Sequence, residues 1–193
     1  MSDHLKQDRP SHWVRRFAPL IPAGEVLDLA CGGGRHARWL AGLGHHVLGV
    51  DRDTAAVQAS AGERIRTLQF ELESDDAAQA PDWPLTPSRY AGIVVTNYLH
   101  RPLLPALLAS LAPGGVLIYE TFAVGNGQFG KPSNPAFLLA PGELLHAVAG
   151  HPEMRVIAYE DGYINEPAPA MVQRICCRRD AGGEAPAAAF VLG

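Results

Sequence analysis

Cysteine is scarce in this chain: three in 193 residues, too few for a disulfide framework and without the paired spacing of a zinc site. A reducing, cytoplasmic location is the expectation that follows. Long hydrophobic runs are also missing. Met1 to Pro22 holds no uninterrupted apolar stretch of signal-peptide length, and the most apolar region, Leu103 to Tyr119, is broken by Pro105, Pro113, Gly114 and Gly115. No segment is therefore expected to span or enter a membrane. Nor is there an excess of positive charge. Sixteen Lys and Arg against twenty Asp and Glu leave a net charge of −4, which disfavours nonspecific binding to nucleic acid or anionic lipid, because such binding depends on clustered cations. The eight histidines lack helical pairing with a carboxylate, so no metal site is expected. What is present is a globular composition, 47% hydrophobic and 19% charged, in a length that suits one domain over 1–193 with loose tails at 1–9 and 180–193.

Along the chain, strand-like and helix-like segments alternate. Trp13, Val14, Phe17, Leu20 and Ile21 recur at helical spacing, and Glu25 to Ala30 reads as a strand running into Gly32-Gly33-Gly34. A helix with His36, Trp39, Leu40 and Leu43 on one face follows, then a strand from His46 to Asp51. Asp53 can cap a helix through Ser60, and Arg66 to Leu72 is a third strand. Beyond a loop with Pro81, Pro84 and Pro87 come a buried strand at Ala91 to Thr96, a helical stripe of Leu104, Leu107, Leu108 and Leu111, and a fifth strand at Gly115 to Glu120. Phe122 to Leu139, rich in Gly, Asn and Pro, is long enough to be a functional loop. Pro141 can start a helix ending at Gly150, and Met154 to Glu160 and Met171 to Cys177 are close enough to form a hairpin. The alternation implies an α/β fold: a doubly wound, mainly parallel seven-stranded sheet of Rossmann-like type with an antiparallel hairpin at one edge.

Ligands of such sheets bind beyond the carboxyl ends of the strands, where strand order reverses. Gly32 and Gly34 lie at the first such end, where the lack of side chains lets backbone N–H groups approach a ligand. Asp51 closes the next strand, and a carboxylate there can accept both hydroxyls of a ribose. Gly32-x-Gly34-x-x-Ala37 also satisfies the dinucleotide fingerprint, so an NAD-dependent oxidoreductase is an alternative. Against it stand Asp28 at the strand end and a longer turn, with Glu71-Leu72-Glu73 as a second acidic position suited to an adenine amino group.

Val26-Leu27-Asp28-Leu29-Ala30-Cys31-Gly32-Gly33-Gly34-Arg35-His36 resembles the first motif of class I S-adenosylmethionine-dependent methyltransferases, and Gly49-Val50-Asp51 their second. Leu111-Ala112-Pro113-Gly114-Gly115-Val116-Leu117-Ile118 is similar to the segment entering their fifth strand. Phe129-Gly130-Lys131-Pro132-Ser133-Asn134-Pro135 and Pro141-Gly142-Glu143-Leu144 resemble small single-domain bacterial members related to tellurite-resistance methyltransferases. Ala30 stands where the family has its first glycine. The resemblance implies S-adenosyl-L-methionine as cofactor, with Gly32 and Gly34 at its methionine part, Asp51 at the ribose, and Asp28, Ala30 and Arg52 among the cofactor-binding residues. It likewise implies Glu71 and Leu72 at the adenine, and Asn97 lining the pocket from the fourth strand end.

A sulfonium methyl is already activated, so the protein mainly has to align a nucleophile with it and exclude water. The expected acceptor is a small molecule entering over the fourth and fifth strand ends. Tyr98, whose face can attract a sulfonium, and His100, which can take a proton near neutral pH, are the catalytic candidates, and Arg101 could hold an acidic acceptor. Their alternatives are packing for Tyr98, and capping or local pairing for His100 and Arg101. Asn97-Tyr98 is not followed by the double proline and aromatic of exocyclic-amine methyltransferases, which disfavours adenine N6 and glutamine as acceptors. Cys31, Cys176 and Cys177 read as packing residues. Trp13 and Phe17 either close the cofactor pocket or only bury apolar area, and Gly125 to Pro135 is either a lid or an exposed insertion. RNA or protein methylation and a non-catalytic cofactor-binding module are the remaining alternatives.

Overall fold

The computed structural model describes residues 9–73 and 86–182; Pro81, Pro84 and most of both expected tails lie outside the described residues. Helix α1 (His12–Phe17) is capped by Ser11, whose hydroxyl accepts the Val14 N–H at 3.1 Å. The expected helix through Ile21 stops early and becomes a 3₁₀ turn at Ala18–Leu20, because Pro19 has no N–H to continue the ladder. Strand β1 (Glu25–Leu29), α2 (Arg35–Gly42), β2 (His46–Asp51), α3 (Thr54–Ser60) and β3 (Ile65–Gln69) follow. The Asp53 carboxylate caps α3 by accepting the Ala55 and Ala56 N–H groups at 2.8 and 3.3 Å. The second half comprises β4 (Tyr90–Thr96), α4 (Leu104–Ser110), β5 (Leu111–Phe122), α5 (Glu143–Ala149), β6 (Met154–Ile164) and β7 (Ala170–Arg179).

The sheet order is β3-β2-β1-β4-β5-β7-β6. β1 to β5 pair in parallel, and β7 runs antiparallel to both β5 and β6. Strand order thus reverses between β1 and β4, and the hairpin occupies the expected edge. Alternating side chains feed two cores. Leu27 and Leu29 of β1 join Leu107, Leu144 and Ile175 on one face, while Val26 joins Trp13, Phe17, Leu40 and Ile118 on the other. Trp13 and Phe17 are core residues, 1% and 2% exposed and edge to face at 4.6 Å, so they pack the sheet rather than close a pocket. Among the described residues no helix is long and apolar enough to cross a membrane.

Several boundaries differ from the sequence expectation, among them β6, which runs on to Ile164, and β7, which spans Ala170–Arg179. β3 ends at Gln69, not Leu72: the Phe70 N–H still reaches the Asp51 carbonyl at 2.9 Å, but β2 ends at Asp51 and leaves Glu71 and Leu72 no strand to pair with. Leu111 is the first residue of β5 rather than the last of α4, since it pairs with Tyr90. β5 also runs the length of Leu111–Phe122, with Ala112 to Gly115 accommodated as a bulge between the pairs Tyr90 with Leu111 and Gly92 with Val116.

Candidate active site: a glycine turn and an adjoining cavity

Leaving β1, every second residue is left-handed: Ala30, Gly32 and Gly34 have φ of 51°, 50° and 75°. The Cys31 N–H donates to the Val50 carbonyl at 3.0 Å and the Gly34 N–H to the Cys31 carbonyl at 2.9 Å, which ties the turn to β2. The two glycines serve different ends. A Cβ at Gly34 would lie 2.3 Å from the Ser60 Cβ, so the packing of α2 on α3 requires its absence. A Cβ at Gly32 would meet nothing within 4 Å, so the space beside it is open. Ala30 adopts the conformation that a glycine takes freely, at about 1 kcal/mol.

Asp51, at the end of β2, accepts the Gly32 N–H on Oδ2 at 2.8 Å and the Asp53 N–H on Oδ1 at 2.9 Å. Each oxygen keeps a further acceptor direction, so the carboxylate can still take ribose hydroxyls. Asp28 is 1% exposed, and its Oδ2 has no hydrogen-bond partner. Burial pushes its carboxyl up to about 7, opposed by the Ala37 N–H and the Arg35 charge and reinforced by Asp51. A buried carboxylate oxygen lacking a donor, beside a turn with open space at Gly32, fits a ligand that carries an ammonium group and a ribose. Arg52 and Glu71 are exposed nearby, and Leu72 is buried in the core against which Tyr98 packs.

Tyr98 packs against the same core and feels the charges around Asp51. Burial raises its phenol pKa, with the carboxylates of Glu73, Glu71 and Asp51 pushing the same way, and its hydroxyl has no partner. Beyond β4, β5 and β7 opens a cavity of about 850 Å³. Its walls come from residues between 9 and 15, between 120 and 131, and between 164 and 174, together with Arg35 at the start of α2 and Asn97 just after β4. Asn97 is left-handed (φ 56°) and donates its N–H to the Glu120 carbonyl at 2.9 Å. Neither Tyr98 nor His100 lines this cavity; the His100 Nε2 is buried without a partner.

Arg101 is the clear correction. Its guanidinium makes two bonds to Glu143, at 2.6 and 2.9 Å, and donates to the carbonyls of Ala136 and Leu138 at 2.8 and 2.9 Å. It fastens the end of the long loop to α5, with four of its five N–H groups committed there rather than to an acceptor. Burial pushes the Glu143 carboxyl up, but Arg101 and the Ala140 N–H more than offset this and hold it below the usual range. The Gly125 to Pro135 segment is neither loose nor detached. Asn126, 1% exposed, donates to the Pro132 carbonyl at 2.9 Å and accepts the Met171 N–H at 3.2 Å, while Phe129 meets Tyr163 of the hairpin at 5.2 Å between centroids. Phe129 and Lys131 both line the cavity.

Sequence reasoning missed three anchors. His36, 2% exposed, accepts the Ser11 N–H on Nε2 at 3.1 Å and lies 3.4 Å from the Thr96 hydroxyl through Nδ1; burial lowers its pKa to about 3, so the ring is neutral. Asn126 and the ion pair of Arg174 with Glu120 are the others. Only the turn-like Gly125-Asn126-Gly127 hinted at any of them. Cys31, Cys176 and Cys177 are free and buried; burial pushes the thiols of Cys31 and Cys176 up to about 12. Among the described residues no His, Cys, Asp and Glu gather as a metal site.

The family model for a methyltransferase domain matches residues 2–132. The chain belongs to that family. This decides between the two readings of the glycine turn in favour of the methyltransferase one. Trans-aconitate 2-methyltransferase of Paracidovorax citrulli is 37% identical over 119 residues, covering 60% of this methyltransferase domain and 45% of that protein. The chain thus spans about half the length of the curated relatives it matches. Among solved structures, TehB from Haemophilus influenzae superposes with a TM-score of 0.68 at 18% identity, over 89% of this chain and 63% of that one. The [4+2]-cyclase SpnF superposes with a TM-score of 0.66 at 13% identity, over 93% of this chain and 82% of that one. A cyclase on the same fold shows that the scaffold alone does not specify the reaction.

Proposed function

We propose that this methyltransferase domain binds S-adenosyl-L-methionine along the glycine turn and aligns its methyl group with a small-molecule acceptor in the neighbouring cavity. The observation that carries the reading is the junction: Arg35 and Asn97, which follow the turn and β4, are also walls of the cavity. The open side of Gly32 would take the methionine part, with Asp28 receiving its ammonium. Asp51 with Arg52 would hold the ribose, and Glu71, Leu72 and Tyr98 the adenine side. The bound sulfonium supplies an activated methyl group, and the protein supplies orientation and exclusion of water. Tyr98 and His100, absent from the cavity lining, are not needed as bases in this reading. A cavity walled by three loops suits a small molecule better than an RNA or protein surface, and the curated relative's printed substrate is also a small molecule. We read 1–193 as one such domain with a cytoplasmic location, supported by three free buried thiols. Calorimetry with S-adenosyl-L-methionine and NAD, followed by transfer of labelled methyl into separate metabolite and macromolecular fractions, tests it. Binding of the first alone, with label in the metabolite fraction, is expected. NAD binding, or label in macromolecules only, overturns it.

A further inference from the structure

We propose that Glu120 binds the acceptor: its carboxylate, on the floor of the cavity of about 850 Å³, receives an uncharged O–H or N–H and so selects molecules that carry one; the inference rests on the methyl-transfer reading above. The position stands out first by strand register. Side chains on one face of β5 recur at Ile118, Glu120 and Phe122, and the residues facing them on β7 are Cys176, Arg174 and Val172. Ile118 and Cys176 share a core with Trp13, whereas Glu120, Phe122, Val172 and Arg174 all line the cavity. A carboxylate thus stands between two apolar residues of its row on β5, and its side chain is only 9% exposed.

Burying a carboxylate is costly unless both its charge and its lone pairs are met. The charge is met by Arg174, whose Nε lies 2.5 Å from Glu120 Oε2 as an ion pair by distance, without an aligned hydrogen bond. Arg174 is itself shared: its Nη1 donates to Glu160 at 3.3 Å, and its guanidinium lies 5.9 Å from the Trp13 ring. No hydrogen bond from the described residues reaches Oε1, and unlike Oε2 this oxygen is not sealed off, so it is the one left to the cavity. An ionised carboxylate only accepts, so whatever meets Oε1 must donate. On the other walls Arg9, Arg15 and Lys131 outnumber Glu166, and their repulsion of an ammonium leaves a neutral hydroxyl or N–H as the donor. An acid without such a group would set like charge against Oε1. The Asn97 N–H also donates to the Glu120 carbonyl at 2.9 Å, which fixes this residue at the strand ends where the methyl donor is read to lie.

The test uses the whole chain with labelled S-adenosyl-L-methionine and a cell-extract metabolite fraction; the labelled product is isolated and its parent acceptor identified by mass spectrometry. An acceptor with a hydroxyl or N–H is expected. One with neither overturns the inference on the wild-type chain alone, whether or not any variant folds. Glu120→Gln keeps the shape and loses the charge, so roughly tenfold more of the metabolite fraction should be needed for half-maximal labelling, with donor affinity by calorimetry unchanged. Glu120→Gln/Arg174→Gln removes the stranded cation as well. A merely structural ion pair predicts that this double variant labels like the wild type, whereas acceptor binding by Glu120 predicts that the defect stays. Wild-type half-saturation in either variant, or an equal loss of donor affinity in Glu120→Gln, overturns the inference while leaving methyl transfer intact. No donor binding, or no label in the metabolite fraction from the wild-type chain, instead overturns the methyl-transfer reading.

Discussion

The side proposed for the cofactor is built mainly from residues 28–52, one strand, turn, helix and strand in succession, whereas the cavity proposed for the acceptor gathers its walls from residues near 9–15, 120–131 and 164–174. The first relies on backbone: left-handed turn residues, an amide held by Asp51, a strand end at fixed register. The second relies on side chains that reach across the fold, such as Asn126 to Met171 and Arg101 to Glu143. A backbone site tolerates few substitutions and serves one ligand; a site of loops can change its ligand while the sheet stays as it is.

Substitutions can break this contrast at its strongest point first. Gly34→Val should destabilise the fold by about 3 kcal/mol or more, because its Cβ has no room beside Ser60. Gly32→Val should cost only about 1–2 kcal/mol of backbone strain yet abolish binding of S-adenosyl-L-methionine. Denaturant melts and calorimetry on the two variants check the split, and wild-type affinity in a folded Gly32→Val would remove Gly32 from the site. Asp51→Ala should weaken binding by about tenfold or more in a folded protein.

The Asp28 prediction concerns pH. Its carboxyl titrates near 7 in the folded state, against an ordinary 3.8, so between about pH 4 and 7 the native protein keeps a proton that the unfolded chain has lost. Wild-type stability relative to Asp28→Asn should therefore fall as pH rises through that window, by up to about 4 kcal/mol, and level off above it. Parallel melts at pH 5 and 8 measure the difference, and parallel curves would mean that Asp28 is not desolvated. On the acceptor side, Phe129→Ala should lower turnover roughly tenfold with donor affinity unchanged. Equal loss of both would assign the loop to the cofactor. The smallest expected effect is that of Ala30→Gly, a gain of about 0.5 kcal/mol as relief of the left-handed strain exceeds the added chain entropy.

The same contrast explains what could be read from the residues. The seven strands, their mainly parallel arrangement and the edge hairpin follow from local apolar patterns and crossover handedness, and they agree with the sheet found, whereas the strand order with its reversal between β1 and β4 is read from the sheet itself. Strand ends were less readable where a partner decides them: β3 stops because β2 ends at Asp51, and Leu111 leaves its helix to pair with Tyr90. For Arg101 the residues left acid binding open beside capping or local pairing; its partner is Glu143, 42 residues later, which neither option named. His36 looked like one more face of an amphipathic helix, and its bond to Ser11 spans 25 residues. Interactions of this range leave no periodic trace.

The neutral imidazole of His36 joins the start of α2 to Ser11 and stands beside Thr96, so the N-terminal wall of the cavity is fixed to the frame that carries the glycine turn. Phe129, on the segment pinned by Asn126 and also part of the cavity wall, rests on Tyr163 of β6, so a ligand that enters meets a rim already set by the protein rather than one it has to order at its own entropic cost.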